Sequence, residues 1–140
     1  MIVEKMNEKQ HIEYLMRLLR DQDYARLIYE FRHDHEVDVA LFMETLPDDE
    51  TAFVFRMLPK EMSAEVFAHL EPETQLRVIE AFTDEETTTM LDELFIDDAV
   101  DFIEEMPANV VRRILAVTTP EDFAADPEVR TSYLGSDFQL

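Results

Sequence analysis

A repeat of apolar side chains with a period of twelve residues runs through the middle of the chain. Each repeat begins with one apolar position, and a pair of apolar positions follows eight and nine residues later. The first positions are Leu46, Leu58, Leu70, Phe82, Leu94 and Met106, and the pairs begin at Val54, Val66, Val78, Met90, Phe102 and Ile114. This spacing puts the apolar side chains mostly on one side of an α-helix, whereas a strand would need strict alternation.

Residues that favour the start of a helix lie where one repeat meets the next. Thr83 and Glu86 predict a capping box, and Asp97 is predicted to cap the following helix. Proline is tolerated in a first helical turn, whose N–H groups lack partners. Four prolines lie one or two residues after a first position: Pro47, Pro59, Pro72 and Pro107. Each repeat is therefore predicted to be one helix of about nine or ten residues, too short to persist alone.

These features predict an all-α fold in which consecutive short helices stack into a superhelix. Two further amphipathic helices are predicted upstream, over residues 11–19 and 24–31, and residues 118–121 form a predicted turn with a capping pattern. No linker separates any part of the sequence. Residues 1–140 are therefore predicted to be a single domain, with residues 1–8 and about 124–140 frayed or linker-like.

The chain is strongly acidic, with 33 acidic and 12 basic residues and a net charge of −21. Such a charge argues against binding nucleic acid or an anionic lipid surface. No apolar run approaches the ~20 residues of a membrane span, and no signal peptide opens the chain, so we expect a cytoplasmic protein. Because 46% of the residues are hydrophobic, the chain can fold, and its charge must be balanced by solvent, a basic partner or cations.

The composition excludes several kinds of catalytic site. Without cysteine there is no thiolate metal site or cysteine nucleophile, and a single glycine, Gly135, cannot build a phosphate-binding loop. The serines lie in no nucleophile motif, so we expect that the chain is not an enzyme. A hydrolase that uses paired carboxylates stays open, because residue counts do not exclude it.

Acidic side chains are concentrated in residues 71–107, where thirteen acids accompany one base, Arg77. Asp97 and Asp101 are four residues apart and share a face of the predicted helix, and Asp98 and Asp101 are three apart. Carboxylates at a helix start suit Mg²⁺, which keeps most of its water ligands. The simpler alternative is a solvated cluster that interacts with the helix dipole. Calcium is disfavoured, since no EF-hand loop is present.

Histidine gives two weaker candidates. His33 and His35 would point apart on a helix, so a metal ion shared by them needs a loop at that point. His69 lies at a predicted helix C-terminus, where a positive charge is favourable without any ligand.

Two segments resemble the cytosolic N domain of the MgtE family of magnesium transporters. Residues 58–70, LPKEMSAEVFAHL, are similar to the family repeat L-P-x-E-x-A-A-E-V-L-x-x-L. The segment that contains Leu94, Asp97, Asp98 and Asp101 is similar to the family's L-D-D-x-x-D, and the resemblance spans about residues 41–115. The flagellar switch protein FliG has a related helical repeat. The alternative is therefore a FliG-like or generic helical-repeat interaction module with an acidic binding face.

The resemblance implies a right-handed superhelix with a regulatory, magnesium-sensing role. In the family this domain precedes a pair of CBS domains and a membrane pore, and Mg²⁺ between the acidic faces favours the closed pore. The implied ligands here are Glu65, Asp97 and Asp101, with Asp98 an adjacent acid. The implied partners are the CBS pair and pore of the same transporter, at the cytosolic face of the membrane, with a homodimer only in the full-length protein. Neither partner is in this sequence, so we expect a fragment or a separate module, with weak Mg²⁺ binding on its own.

Overall fold

The computed structural model describes residues 6–117, and all regular structure in that range is helical. The α-helices are α1 Glu8–Arg20, α2 Tyr24–His33, α3 Glu36–Glu44, α4 Thr51–Arg56, α5 Lys60–His69, α6 Pro72–Ala81, α7 Asp84–Glu93, α8 Ile96–Glu104 and α9 Ala108–Val117. A 3₁₀ turn, Asp48–Glu50, precedes α4. The predicted all-α class is therefore confirmed. Within the described range, none of the helices has the length and apolarity that crossing a membrane requires.

The chain divides into two compact units, with the division between His69 and Leu70. In unit 1, α1 packs against α2 and α3, and α3 packs against α4 and α5. In unit 2, α7 packs against α9. The single domain and the superhelical arrangement of the helices remain predictions.

Aromatic side chains fill much of the core of unit 1. The rings of Phe31 and Phe42 lie 6.0 Å apart between centroids, and both side chains are fully buried. Phe55 and Phe67 make an edge-to-face pair, also at 6.0 Å. Such pairs add to the hydrophobic stabilisation that burial of their area provides. They join α2 to α3 and α4 to α5.

The predicted register of the apolar repeat is confirmed by burial. Both members of all six apolar pairs are buried, from Val54 and Phe55 to Ile114 and Leu115. Among the first positions, only Leu94 is half-buried and the others are buried. The predicted helix length also holds for α3 and α5–α9, which have nine or ten residues each. The exception is α4, where a 3₁₀ turn and six α-helical residues replace a single helix.

Two helix starts test the capping predictions, with opposite results. The capping box is confirmed: Glu86 N–H donates to Thr83 Oγ1 at 3.1 Å, and Thr83 N–H donates to Glu86 Oε1 at 3.0 Å. The prediction that Asp97 caps α8 is wrong. Phe95 occupies the cap position in an extended conformation, and the N–H of Ala99 donates to its carbonyl at 3.0 Å. Asp97 therefore lies inside the first turn, where its charge still interacts favourably with the helix dipole.

Helix α1 begins with paired hydrogen bonds between Asn7 and Gln10. Gln10 N–H donates to Asn7 Oδ1 at 2.8 Å, and Asn7 N–H donates to Gln10 Oε1 at 3.1 Å, which makes a second capping box. Asn7 is the N-cap of α1 and Glu8 is its first residue, and the fraying predicted for residues 1–8 remains a prediction. The rest of the predicted frayed segments, at 1–5 and about 124–140, and the predicted turn at 118–121 lie outside the described residues.

Candidate functional site

Helix α8 in unit 2 carries the three aspartates that the sequence singled out. Four of its apolar residues, Ala99, Val100, Phe102 and Ile103, are buried. Their burial turns the opposite side of the helix outward, where Asp97 and Asp101 are exposed and Asp98 is half-buried. Because Asp97 and Asp101 are four residues apart on one helix, they lie on the same face, as predicted.

No basic side chain neutralises these aspartates within the described part of unit 2. Arg113 on α9 pairs instead with Asp84, with 3.2 Å between Nε and Oδ1, and it donates to the carbonyl of Phe82 at 2.9 Å. The α8 carboxylates therefore form a solvated donor set of hard oxygens. Such a set fits Mg²⁺, which binds through one or two carboxylates and keeps several waters.

Glu65 lies on α5 in unit 1 and is exposed. It makes no side-chain hydrogen bond or ion pair with the part of unit 1 that the structure describes. The four predicted ligands are thus divided between the units, with Glu65 in one and the three aspartates in the other. Within a unit, the structure brings together only the aspartates of α8.

Two exposed apolar side chains precede the aspartates and were not predicted from the sequence. Phe95 is 72% exposed and Ile96 is 43% exposed. Both fall outside the buried positions of the repeat, and this is the sequence signal that could have identified them. Exposed aromatic residues beside polar groups are typical of protein interfaces. The start of α8 therefore combines an apolar contact surface with unpaired negative charge.

A second cluster, which we call the His11 cluster, lies in unit 1 and consists of His11, Glu30 and Asp34. One ligand atom from each of the three side chains can be chosen so that all lie within 4.8 Å of one another. Nε2 of His11 and Oδ2 of Asp34 are 2.7 Å apart, and all three residues are half-buried. The cluster joins α1 to α2 and to Asp34, the residue that directly follows α2.

Hydrogen bonds and burial set the electrostatics of the His11 cluster. Burial raises the pKa of Asp34 above its usual value, and the hydrogen bond with His11 opposes that rise. Arg26 pairs with Glu30, with 2.9 Å between Nη2 and Oε1. The hydroxyl of Tyr14 donates to the same oxygen at 3.4 Å. Glu30 is therefore compensated by a full positive charge, whereas the imidazole is the only partner of the Asp34 side chain among the described residues.

The loop that a site at His33 and His35 would need is present, and each imidazole makes a local contact of its own. His33 ends α2 and His35 occupies the cap position of α3. Nδ1 of His33 hydrogen-bonds with the carbonyl oxygen of Tyr29 at 2.8 Å, and Nδ1 of His35 lies 3.6 Å from Glu36. His33 and His35 were candidates because they are close together in the sequence. Local spacing cannot reveal a pair such as His11 and Asp34, which are 23 residues apart.

Comparison with known proteins identifies the family of the chain. The family model described as the MgtE intracellular N domain matches residues 34–126, which is 93 of the 140 residues. The matched range contains Glu65 and the three aspartates of α8, and it leaves out His11 and Glu30. A search of curated proteins finds no match. The chain belongs to the MgtE intracellular N domain family, a family of intracellular domains of magnesium transporters.

Proposed function

We propose that this chain is a regulatory domain through which an MgtE-type transporter senses cytosolic Mg²⁺. The observation that carries the proposal is the pair of exposed carboxylates, Asp97 and Asp101, on one face of α8 with no basic partner in the described part of their unit. Membership of the family supports the magnesium assignment. The donor set supports it as well, because it contains oxygen ligands alone.

Glu65, Asp97 and Asp101 are this domain's share of the ligands in the proposal, and Asp98 adds an adjacent negative charge. The CBS domain pair of the same transporter supplies the facing acidic surface, next to the pore at the cytosolic side of the membrane. The two surfaces repel each other, and bound Mg²⁺ supplies the positive charge that offsets the repulsion. Because the carboxylates bind the ion better when the surfaces are close, Mg²⁺ shifts the population towards a compact state with a closed pore.

The alternative is an interaction module whose acidic face binds a basic protein. Exposed Phe95 and Ile96 favour this reading, since an apolar contact beside unpaired acids would fit a partner with an apolar recess and a basic rim. The two proposals differ in their response to ions. A site for Mg²⁺ responds to the divalent ion specifically, whereas an acidic face responds to any salt that screens it.

Thermal unfolding of this chain joined to the CBS pair of its transporter tests the proposal. At tenfold the dissociation constant, one Mg²⁺ site adds about 1.4 kcal/mol, so we expect MgCl₂ to raise the melting temperature by a few degrees above NaCl of equal ionic strength. The double variant Asp97→Ala with Asp101→Ala should lose this difference.

The matched control is Glu80→Ala with Glu105→Ala, which removes two exposed acids of unit 2 that lie outside the proposed site. It should keep the response to Mg²⁺. Equal stabilisation by NaCl and MgCl₂, or equal loss of the response in both double variants, would show general screening and would support the interaction module instead.

A further inference from the structure

The His11 cluster is held in place by ordered structure on both sides. His11 lies in α1, whose first turn is fixed by the Asn7 capping box, and α1 packs against α2. Glu30 lies in the last turns of α2, and Asp34 directly follows that helix. The three side chains thus project from backbone that is already ordered, which lowers the entropic cost of holding a ligand.

The separations within the cluster are close to those around a small metal ion. Zinc binds histidine nitrogen and carboxylate oxygen at about 2.0–2.2 Å, so neighbouring ligand atoms at a tetrahedral centre are about 3.3 Å apart. The three ligand atoms lie within 4.8 Å of one another, and the His11–Asp34 pair lies at 2.7 Å. Small side-chain rotations would therefore bring all three to bonding distance of one ion.

The ligand types indicate which class of ion fits. Mg²⁺ and Ca²⁺ prefer oxygen ligands alone, whereas imidazole with carboxylates suits Zn²⁺ and related first-row ions. Within residues 6–117, the two carboxylates pair with one guanidinium, that of Arg26, so the cluster has an excess of negative charge when His11 is neutral. Half-burial makes the Asp34 carboxylate costly to ionise, and the negative charges of Glu30 and Asp38 add to that cost. A divalent cation would relieve it.

There is also room to complete a coordination shell. An open groove of about 460 Å³ lies against His11 and Asp34 and is lined further by His33, His35 and Asp38. Three protein ligands leave at least one position of a zinc ion for water. The groove can hold that water, since a water molecule occupies about 30 Å³ in the liquid.

From this geometry we propose that His11, Glu30 and Asp34 bind a divalent transition-metal ion, with Zn²⁺ the best fit. The site lies in unit 1 and shares no residue with the acidic surface of α8. It is independent of the proposed Mg²⁺ sensing, and either proposal can fail without the other. Binding would replace the His11–Asp34 hydrogen bond by metal bonds that tie α1 to the end of α2.

Metal titration of the untagged 140-residue chain, stripped with chelator, tests the proposal. We expect one equivalent of Co²⁺ to give visible absorption bands of a low-symmetry site, and Zn²⁺ to displace it. In calorimetry with ZnCl₂, His11→Gln and Asp34→Asn should each weaken binding by at least about tenfold. An excess of MgCl₂ should not displace the ion, because magnesium disfavours imidazole.

The matched control is His33→Gln, which removes an exposed imidazole from the same groove and should leave Zn²⁺ affinity unchanged. Circular dichroism of each variant shows whether the helices remain, and Asp34→Asn keeps the test decisive if His11→Gln does not fold. The proposal is overturned if Co²⁺ gives no bands, if both ligand variants bind as the parent does, or if His33→Gln loses as much affinity as they do. A purely structural His11–Asp34 pair would lower stability on substitution without any response to metal.

Discussion

A single backbone conformation at Gln22 determines how α1 ends. Gln22 has a φ of 58°, in the left-handed region that favours glycine. Its N–H donates to Leu19 O at 3.1 Å, and the next N–H, that of Asp23, donates to Leu18 O at 2.9 Å. These two bonds are those of a Schellman motif, in which glycine is the preferred residue. The motif reverses the chain between α1 and α2, and glutamine occupies the strained position.

Replacing Gln22 with glycine should stabilise the protein. The left-handed conformation costs a residue with a side chain about 1 kcal/mol, and the greater freedom of glycine in the unfolded chain offsets part of the gain. We expect Gln22→Gly to raise the free energy of unfolding by about 0.5 kcal/mol, measured by urea denaturation. Glu13→Gly, at an exposed position inside α1, should lower it by about 1 kcal/mol. A loss of similar size in both variants would contradict the left-handed turn.

The relative positions of residues within one helix could be predicted from their spacing in the sequence. Contacts between residues of different helices could not. The shared face of Asp97 and Asp101 follows from a spacing of four within one helix. By contrast, His11 meets Asp34 because α1 packs against α2, and no local spacing encodes that packing. The prediction for the cap of α8 is wrong for a related reason. Phe95 occupies the N-cap position without a side-chain hydrogen bond, so its residue type did not predict a cap at that position.

At the scale of the elements, the apolar period predicted most helices, and its exception is the 3₁₀ turn that precedes α4. In the 3₁₀ turn, Glu50 N–H donates to Pro47 O at 3.0 Å instead of continuing an α-helix. The side chain of Glu50 forms an ion pair with Arg20 of α1, whose Nη2 donates to Glu50 Oε2 at 2.9 Å. Because that partner lies 30 residues upstream, the repeat alone gave no indication of this ion pair.

The capping box of α7 provides a test at this scale. Thr83→Ala removes the acceptor of the Glu86 N–H and should cost about 1 kcal/mol of unfolding free energy. Thr89→Ala makes the same chemical change at an exposed position inside the helix and should cost nothing, since alanine has the higher helix propensity. Urea denaturation of both variants measures the difference. Equal stabilities would mean that the hydrogen bonds of the box do not stabilise α7.

At the scale of the whole molecule, the sequence identified where the charge is concentrated but not which acids are partnered. Segment 71–107 was singled out by its thirteen acids and one base. The structure adds that Asp84 has a partner in Arg113, while Asp97 and Asp101 have none within the described part of unit 2. Side-chain pairing depends on packing between helices such as α7 and α9, so composition alone could not distinguish these acids.

The dependence of stability on salt shows whether repulsion within the net negative charge or attraction in the ion pairs has the larger effect. Ion pairs such as Arg20–Glu50 and Arg26–Glu30 are exposed or half-exposed, so their contribution to stability is small and salt would weaken it. A net charge of −21 acts in the opposite direction, because repulsion destabilises the compact state and salt screens it. We expect the repulsion to dominate. Raising NaCl from about 0.1 to 1 M shortens the screening length from about 10 to 3 Å and should raise the urea midpoint.

A variant with less charge separates this effect from other actions of salt. Glu80→Gln with Glu105→Gln removes two exposed negative charges from the acid-rich segment. It should be more stable than the parent chain at low salt and equal to it at high salt, because screening leaves little repulsion to remove. Its urea midpoint should therefore rise less with NaCl. If salt lowers the midpoint of the parent chain instead, the ion pairs outweigh the repulsion, and the acidic excess is not a source of instability that bound cations would relieve.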